Sequence, residues 1–79
     1  MQQLENLLIF LVRQLVDEPE KVEVEGKETD SRVDLTLRVA QGDMGQVIGR
    51  GGRIIKAIRT VVKAASVKAN KRVNVEVTD

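Results

Sequence analysis

The residues whose types and spacing could support chemistry form one short run, Gly49, Arg50, Gly51 and Gly52, with Arg53 directly after it. Glycine has no Cβ, so another backbone can approach it closely and positive φ values cost little. A helix that begins directly after such a turn has free backbone N–H groups, which attract an anion together with the helix dipole. The two arginines add positive charge at the same point. The run therefore predicts a clamp for phosphate groups.

Two well-known glycine motifs fit this run poorly. A dinucleotide-binding motif would need a further glycine where Ile54 stands, and it would follow a strand. A nucleoside-triphosphate loop would end in Gly-Lys-Ser/Thr, but Gly52 is followed by Arg53 and Ile54. The plainer alternative is a helix–helix turn without a ligand, since glycine is the default turn residue. The basic residues around the run and the helix after it favour the clamp.

The charge distribution divides the chain into two parts of opposite sign. Residues 1–30 carry three basic and eight acidic side chains, whereas residues 31–79 carry ten basic and four acidic ones. Between Arg50 and Arg72 there are eight basic residues and no acidic one, although the net charge of the whole chain is only +1. This asymmetry predicts a polyanionic partner, while a solvated basic helix face would produce the same pattern.

The composition removes several functional classes. The chain has no cysteine and no histidine, so it lacks thiolate and imidazole metal ligands and the commonest general base near neutral pH. The carboxylates form no cluster with metal-ligand spacing. We therefore predict neither catalysis nor a metal or cofactor. No apolar run approaches the ~20 residues that span a bilayer, and no signal peptide is recognisable, which favours a cytoplasmic location.

Hydrophobic periodicity predicts three helices. Apolar residues at helical spacing define the first over residues 2–16, and Pro19 stops it because the residue before a proline is pushed out of the helical region. Gly42 and Asp43 can cap a short second helix that runs through Ile48. A second apolar stripe predicts a longer helix after the glycine run. The stripe comprises Ile54, Ile55, Ile58, Val61, Val62 and Ala65.

Alternation of apolar and polar residues predicts three strands, over residues 21–25, 32–39 and 72–77. A turn over residues 26–30 joins the first two into a hairpin. The second and third strands flank the two later helices, so we expect them to be parallel with a right-handed crossover. The predicted fold class is α+β in the order α-β-β-α-α-β, with a three-stranded mixed sheet and the helices packed on one face.

At the glycine run the sequence resembles a known family. Ile48, the Gly-x-x-Gly run and Ile55 match the signature of the KH domain, and the element order is similar to its bacterial type II form. Residues 43–49 and 56–62 are typical of the KhpA family of small single-KH proteins, and the resemblance covers nearly the whole chain. It implies a single KH domain over residues 1–79, with the first helix and strand in residues 1–30 and the minimal KH core in residues 31–79.

The resemblance also implies a function. KhpA proteins are described as RNA-binding and dimerising, and as pairing with KhpB, a larger multidomain KH protein, in the control of cell elongation and division. The chain is thus expected to be a non-catalytic binder of single-stranded RNA, with single-stranded DNA also accepted. Its implied role is RNA chaperoning or post-transcriptional regulation, linked to cell shape and cell-wall biogenesis. The alternative is a protein-interaction adaptor whose nucleic-acid contact is incidental.

By the same resemblance, Gly49, Arg50, Gly51 and Gly52 would contact the RNA backbone. Bases would lie beside them in an aliphatic groove between the following helix and the strand that packs next to it. The residues expected to line the groove are Val47, Ile48 and Ile55, for which core packing is the alternative. Those expected on its rim are Arg53, Lys56 and Arg38.

The aromatic content is the last informative feature. Phe10 is the only aromatic residue and belongs to the first helix, so no platform for base stacking is predicted near the basic segment. Ile9 and Phe10 lie off the main apolar stripe of that helix. Apolar exposure there can simply be tolerated. The alternative is that Ile9 and Phe10 form a partner surface, either in a homodimer or with a KhpB-type protein.

Overall fold

The computed structural model describes residues 2–67 and 70–79. Within them the elements follow the predicted order. They are α1 (Gln2–Arg13), β1 (Glu23–Glu28), β2 (Arg32–Arg38), α2 (Met44–Ile48), α3 (Arg53–Ala65) and β3 (Arg72–Thr78). Short 3₁₀ turns over Pro19–Lys21, Gln41–Asp43 and Arg50–Gly52 connect them. No helix in the described part of the chain is long and apolar enough to cross a membrane.

The described strands form one mixed sheet in the order β1-β2-β3. β1 pairs antiparallel with β2, and β2 pairs parallel with β3, with Val33 opposite Val73. Val33, Leu35 and Leu37 are buried on one face of β2, whereas the residues between them stay partly or fully exposed on the other face. One face of the sheet is therefore covered and the other is open to water. This arrangement confirms the predicted fold class.

The hydrophobic core lies between the covered sheet face and the apolar sides of the helices. α1 contributes Leu4, Leu8 and Val12, which recur at helical spacing. α3 contributes its own apolar line, which comprises Ile55, Ile58 and Val62. Two residues of the predicted α3 stripe lie outside the core. Val61 is 44% exposed and Ala65 is exposed, because each lies to one side of the line that faces the sheet.

The end of α1 differs from the prediction. The helix ends at Arg13 rather than at residue 16, and the N–H of Leu15 donates to the carbonyl of Val12 in a tight turn (2.9 Å). Further along, the N–H groups of residues 17 and 18 donate to the carboxylate of Asp43 at 3.1 Å each. These N–H groups bind a side chain far away in the sequence and not the carbonyl groups of α1. The helix therefore ends well before Pro19.

The same contact corrects the predicted cap of α2. Asp43 stands at the N-cap position, but its side chain makes no capping hydrogen bond to α2. The carboxylate is buried and turns back to the connection between α1 and β1 instead. With its amide nitrogen facing inward, Gln46 donates to the carbonyl of Leu15 (3.1 Å) and to Oδ1 of Asp43 (3.3 Å). These bonds attach the start of α2 to the N-terminal part of the fold.

β1 also differs from the prediction. It begins at Glu23 rather than at residue 21, and it continues through the predicted turn to Glu28. Gly26 pairs with Leu35 inside the hairpin, and the turn is shortened to the residues around Thr29, whose N–H donates to the carbonyl of Arg32 (2.8 Å). The glycine signal was misleading because glycine is tolerated in an edge strand, where less packing depends on it.

Candidate nucleic-acid interface

The glycine run forms a tight turn between two helices, as the sequence predicts. The N–H of Gly49 donates to the carbonyl of Gly45 (2.9 Å) and ends α2. The N–H of Gly52 then donates to the carbonyl of Gly49 (3.1 Å), and α3 begins at Arg53. We call residues 49–52 the glycine loop. Its position is set by helices that are both packed into the core.

Two positions of the glycine loop have distinct steric surroundings. Gly49 has φ 76° and ψ 170°, a backbone conformation that is essentially restricted to glycine. A Cβ there would lie 2.4 Å from Cγ1 and 2.9 Å from the backbone nitrogen of Ile54, so the loop packs tightly on the start of α3. Gly51 also has a positive φ, but a Cβ there would meet nothing within 4 Å. The loop is therefore closed on its inner side and open on its outer side.

The N-terminus of α3 faces the glycine loop without a side-chain cap. Gly52 occupies the N-cap position and has no side chain that could accept from the first N–H groups of the helix. The N–H of Arg53 donates to the carbonyl of Arg50 within the loop. No side chain caps the donors that follow it, so they and the positive end of the helix dipole favour an anion. α3 spans 13 residues, so its dipole is that of a regular helix of average length.

The charge around the glycine loop is not neutralised by the fold. Arg50, Arg53 and Lys56 are exposed. A Cβ at Gly52 would lie 3.9 Å from Cε of Lys56, which places that side chain beside the loop. Among residues 2–67 and 70–79, no carboxylate lies within 4.0 Å of these three side chains, since the ion pairs there join Lys21 to Glu18, Arg32 to Asp34 and Lys71 to Glu28.

The basic residues further along the chain differ from those at the loop in their ion pairing. Lys71 donates a hydrogen bond to Glu28, and this bond, with the lysine charge, holds the pKa of the Glu28 carboxyl below its ordinary value. Lys71 is thereby partly neutralised, in contrast to the residues of the glycine loop. Lys68, another of the eight basic residues, lies outside the described residues. Positive charge without a carboxylate partner is thus found at the loop and along α3.

The predicted groove residues divide into two groups. Val47 is completely buried and Ile55 nearly so, because both pack in the core. Of the two roles left open for them, core packing is the one that their burial favours. Ile48 is half-buried beside the loop and keeps surface that a ligand could touch. Ile54, which we predicted as part of the apolar stripe of α3 but not of the groove, is half-buried as well and packs against Gly49.

Arg38 does not lie on the rim of this groove, so that prediction is wrong. It follows Leu37 on β2, and alternation along the strand turns it to the open face of the sheet. There it stands opposite Glu23 of β1. The helices and the glycine loop lie on the other face. Its placement was predicted from charge and from proximity in the sequence, which do not show the face of the sheet to which a side chain points.

Arg59 is a further basic residue close to the loop, and the sequence did not single it out. It is half-buried on α3, and its Nε donates to the carbonyl of Val75 on β3 (3.1 Å). The spacing of Gly52, Lys56 and Arg59 places them along one side of α3. This side of α3 meets the edge of β3 where Arg59 contacts Val75. Helical spacing from the glycine loop was the signal that could have identified Arg59.

Comparison with known proteins agrees with this geometry. Residues 5–77 match the sequence profile described as KhpA/KhpB, KH domain. This chain belongs to the KhpA/KhpB KH-domain family. Among its relatives, the RNA-binding protein KhpA of Clostridium acetobutylicum is 51% identical over 74 residues, which cover 94% of this chain and 99% of that protein. The RNA-binding protein KhpA of Bacillus subtilis is 46% identical over 78 residues, which cover 99% and 96%. The resemblance inferred from the sequence is thus confirmed.

Solved structures share the KH fold at low sequence identity. A variant of Era from Aquifex aeolicus bound to GDP and AlF4⁻ superposes with a TM-score of 0.69 and 15% identity, covering 95% of this chain and 29% of Era. Era in complex with MgGDPNP and nucleotides 1506–1542 of 16S ribosomal RNA gives the same TM-score and identity, covering 94% and 28%. This KH chain thus corresponds to less than a third of Era, and the likeness concerns the fold alone.

Proposed function

We propose that this protein is a non-catalytic binder of single-stranded RNA, and that the glycine loop holds the phosphates of the bound strand. The observation that carries the proposal is the open outer side of the loop at Gly51, directly before an uncapped helix N-terminus. A phosphate can approach the open side of the loop and the positive end of α3, with Arg50 beside it. The name of the relatives, RNA-binding protein KhpA, supports RNA as the polyanion.

The chemistry of the groove supports a short and weakly held ligand. A KH loop clamps about four nucleotides. The one aromatic residue, Phe10, belongs to α1 and not to the loop or α3, so no aromatic side chain is available there for base stacking. Binding should therefore depend mainly on phosphate contacts, and its affinity should fall steeply with salt. A second copy, or a second KH partner, would raise the effective concentration of sites along one RNA.

The family resemblance extends the proposal to cellular roles. We propose RNA chaperoning or post-transcriptional regulation in the cytoplasm, with a KhpB-type partner and a link to cell elongation and division. The adaptor alternative would instead make protein contact the main function. The charge around the glycine loop favours the RNA proposal, because an adaptor does not require exposed basic residues beside an open glycine turn.

Substitution of the glycine loop tests this function. We expect Gly51→Asp to weaken binding of short single-stranded RNA by roughly tenfold or more, because a carboxylate would stand where the phosphate is held. Gly51→Asn has nearly the same shape and tolerates the same positive φ, so it should retain most of the affinity. Adding Arg50→Asp to Gly51→Asp should abolish binding. Fluorescence anisotropy over a salt series measures these affinities, and circular dichroism checks that each variant is folded.

Comparison of Gly51→Asp with Gly51→Asn separates the effect of the added charge from the effect of the added side-chain volume. If Gly51→Asp and Gly51→Asn, both folded, bind RNA as well as the wild type does, the glycine loop is not the clamp and the adaptor alternative gains support. DNA of the same sequence should be titrated in parallel. Equal affinity for both would show that the protein binds single strands without contacting the 2′-hydroxyl.

We also propose that the protein self-associates through exposed apolar side chains. Ile9 packs partly against the core, so Phe10, 61% exposed, is the part of the predicted partner surface that is open to solvent. Phe10→Glu should shift a dimer toward monomer in analytical ultracentrifugation, because a buried unpaired charge is unfavourable at an interface. Val61→Glu on α3 is the comparison variant, since Val61 is also exposed. A shift in the Val61→Glu variant alone would place the interface on α3 and contradict the role of Phe10.

A further inference from the structure

β3 has a free edge beside α3. Among residues 2–67 and 70–79 it is the last strand in the order β1-β2-β3, so only one of its edges is paired with a described strand. The N–H of Arg72 donates to the carbonyl of Ser31, and the carbonyl of Thr78 accepts from the N–H of Val39, both at 3.0 Å. The even-numbered residues of β3 therefore bond to β2. Since successive residues of a strand alternate in direction, the peptide groups of the odd-numbered residues, Val75 among them, point to the free edge.

Arg59 reaches this free edge from α3. Its Nε donates to the carbonyl of Val75, which orients the planar guanidinium group. Within residues 2–67 and 70–79, no carboxylate lies within 4.0 Å of Arg59, and this is the one side-chain hydrogen bond that it makes. Its two terminal amino groups are therefore left as an oriented fork of donors at the edge of the groove.

The position of Arg59 suits contact with a strand that the glycine loop holds. It lies seven residues after Gly52 on α3, which corresponds to about 10 Å along the helix axis at ~1.5 Å per residue. Lys56 lies between them on the same side of the helix. A strand of about four nucleotides, anchored by phosphates at the loop, would therefore extend over Arg59 with its bases toward the edge of β3.

We propose that Arg59 is a specificity-determining residue that reads one base of the bound strand, an inference that rests on the proposed RNA-binding function. An oriented guanidinium presents two parallel N–H donors, which two adjacent acceptors on a base edge satisfy best. Guanine offers N7 and O6, and cytosine offers N3 and O2. The Watson–Crick and Hoogsteen edges of adenine and uracil carry no two adjacent acceptors. The groove therefore selects guanine or cytosine at one position of the strand.

Short RNA pools test this selection. In each pool of eight-nucleotide RNA, one position is held as A, C, G or U and the other positions are randomised. The wild type should prefer guanine or cytosine at one position by roughly tenfold, the discrimination typical of a bidentate contact. Arg59→Lys keeps the charge but loses the fork, so its preference should disappear while its mean affinity stays within about threefold of the wild type. Arg59→Gln should lose the preference too.

Lys63→Gln is the matched control, because Lys63 is an exposed basic residue one turn further along α3. It should lower affinity for all pools alike and leave the base preference unchanged. If the Arg59 variants keep the preference of the wild type, or if the wild type shows none, the inference is overturned and Arg59 serves only to cover the edge of β3.

A failure of the RNA-binding proposal would give different results from a failure of the Arg59 inference. Either the wild type would bind none of the pools, or Gly51→Asp would bind them as strongly as the wild type does. The first of these results overturns both proposals. The second removes the clamp, and the Arg59 inference falls with it because nothing then holds the strand in register.

Discussion

Replacing Gly49 with alanine is expected to lower the free energy of unfolding by on the order of 3 kcal/mol, combining backbone strain with overpacking. The backbone of Gly49 has φ 76° and ψ 170°, which other residues rarely adopt. The new Cβ would also lie 2.4 Å from Cγ1 of Ile54, well inside van der Waals contact, and the nearby backbone nitrogen of Ile54 cannot move freely within α3. Unfolding in urea, followed by circular dichroism, measures the change.

Two other glycines provide controls for this prediction. Gly51→Ala introduces a Cβ at a positive φ but in open space, so it should cost only about 1–2 kcal/mol. Gly45→Ala lies inside α2 with nothing within 4 Å, and it should raise stability by roughly 0.5–1 kcal/mol. Equal losses at positions 49 and 51 would contradict the close packing of the loop on Ile54. A domain of this length is stable by only about 4–12 kcal/mol, so these differences are measurable.

Replacing Asp43 with alanine is expected to cost roughly 2–4 kcal/mol, since hydrogen bonds to a charged group contribute more than neutral ones. The carboxylate is 2% exposed, and its two oxygens accept from the N–H groups of Asp17 and Glu18. Alanine would leave both donors unpaired in a partly buried place. The connection between α1 and β1 should loosen first. Urea unfolding measures the loss, and hydrogen exchange at the amides of residues 17 and 18 should accelerate beyond that of the strands.

Replacing Asp43 with asparagine tests whether both oxygens of its side chain are needed as hydrogen-bond acceptors. In Asp43→Asn, a single oxygen can accept, and the new amide group places a donor against the second N–H. We therefore expect at least half of the loss seen with alanine. Asp30→Asn is the surface control, because Asp30 is exposed and such changes usually stay within about 0.5 kcal/mol. Wild-type stability of Asp43→Asn would show that one acceptor is sufficient and that the second bond contributes little.

Several features were predictable because they depend on neighbours in the sequence. The apolar residues of α3 recur every three to four positions, and this spacing alone predicted that Ile55, Ile58 and Val62 face the core. The glycine loop could be predicted equally well, since a turn between two helices requires residues that adopt unusual backbone conformations. The parallel pairing of β2 with β3 followed from the two helices between them.

The errors arose where a distant part of the fold overrode the local signal. Gly26 indicated a turn, but pairing with Leu35 keeps it in β1. Asp43 indicated a cap for α2, yet its carboxylate binds backbone groups more than twenty residues earlier in the chain. Arg38 was grouped with the loop by its charge, although strand alternation turns it to the opposite face of the sheet.

The sequence by itself determined the order of the elements, the apolar faces of the helices and strands, the glycine loop and the basic segment that follows it. Each of these depends on intrinsic backbone preferences or on residues at most four positions apart. Only the tertiary structure decided that Asp43 ties α2 to the N-terminal connection, that Val47 is core, and that Arg59 reaches the free edge of β3. These are contacts between segments far apart in the chain, and they exist only once the helices have packed on the sheet.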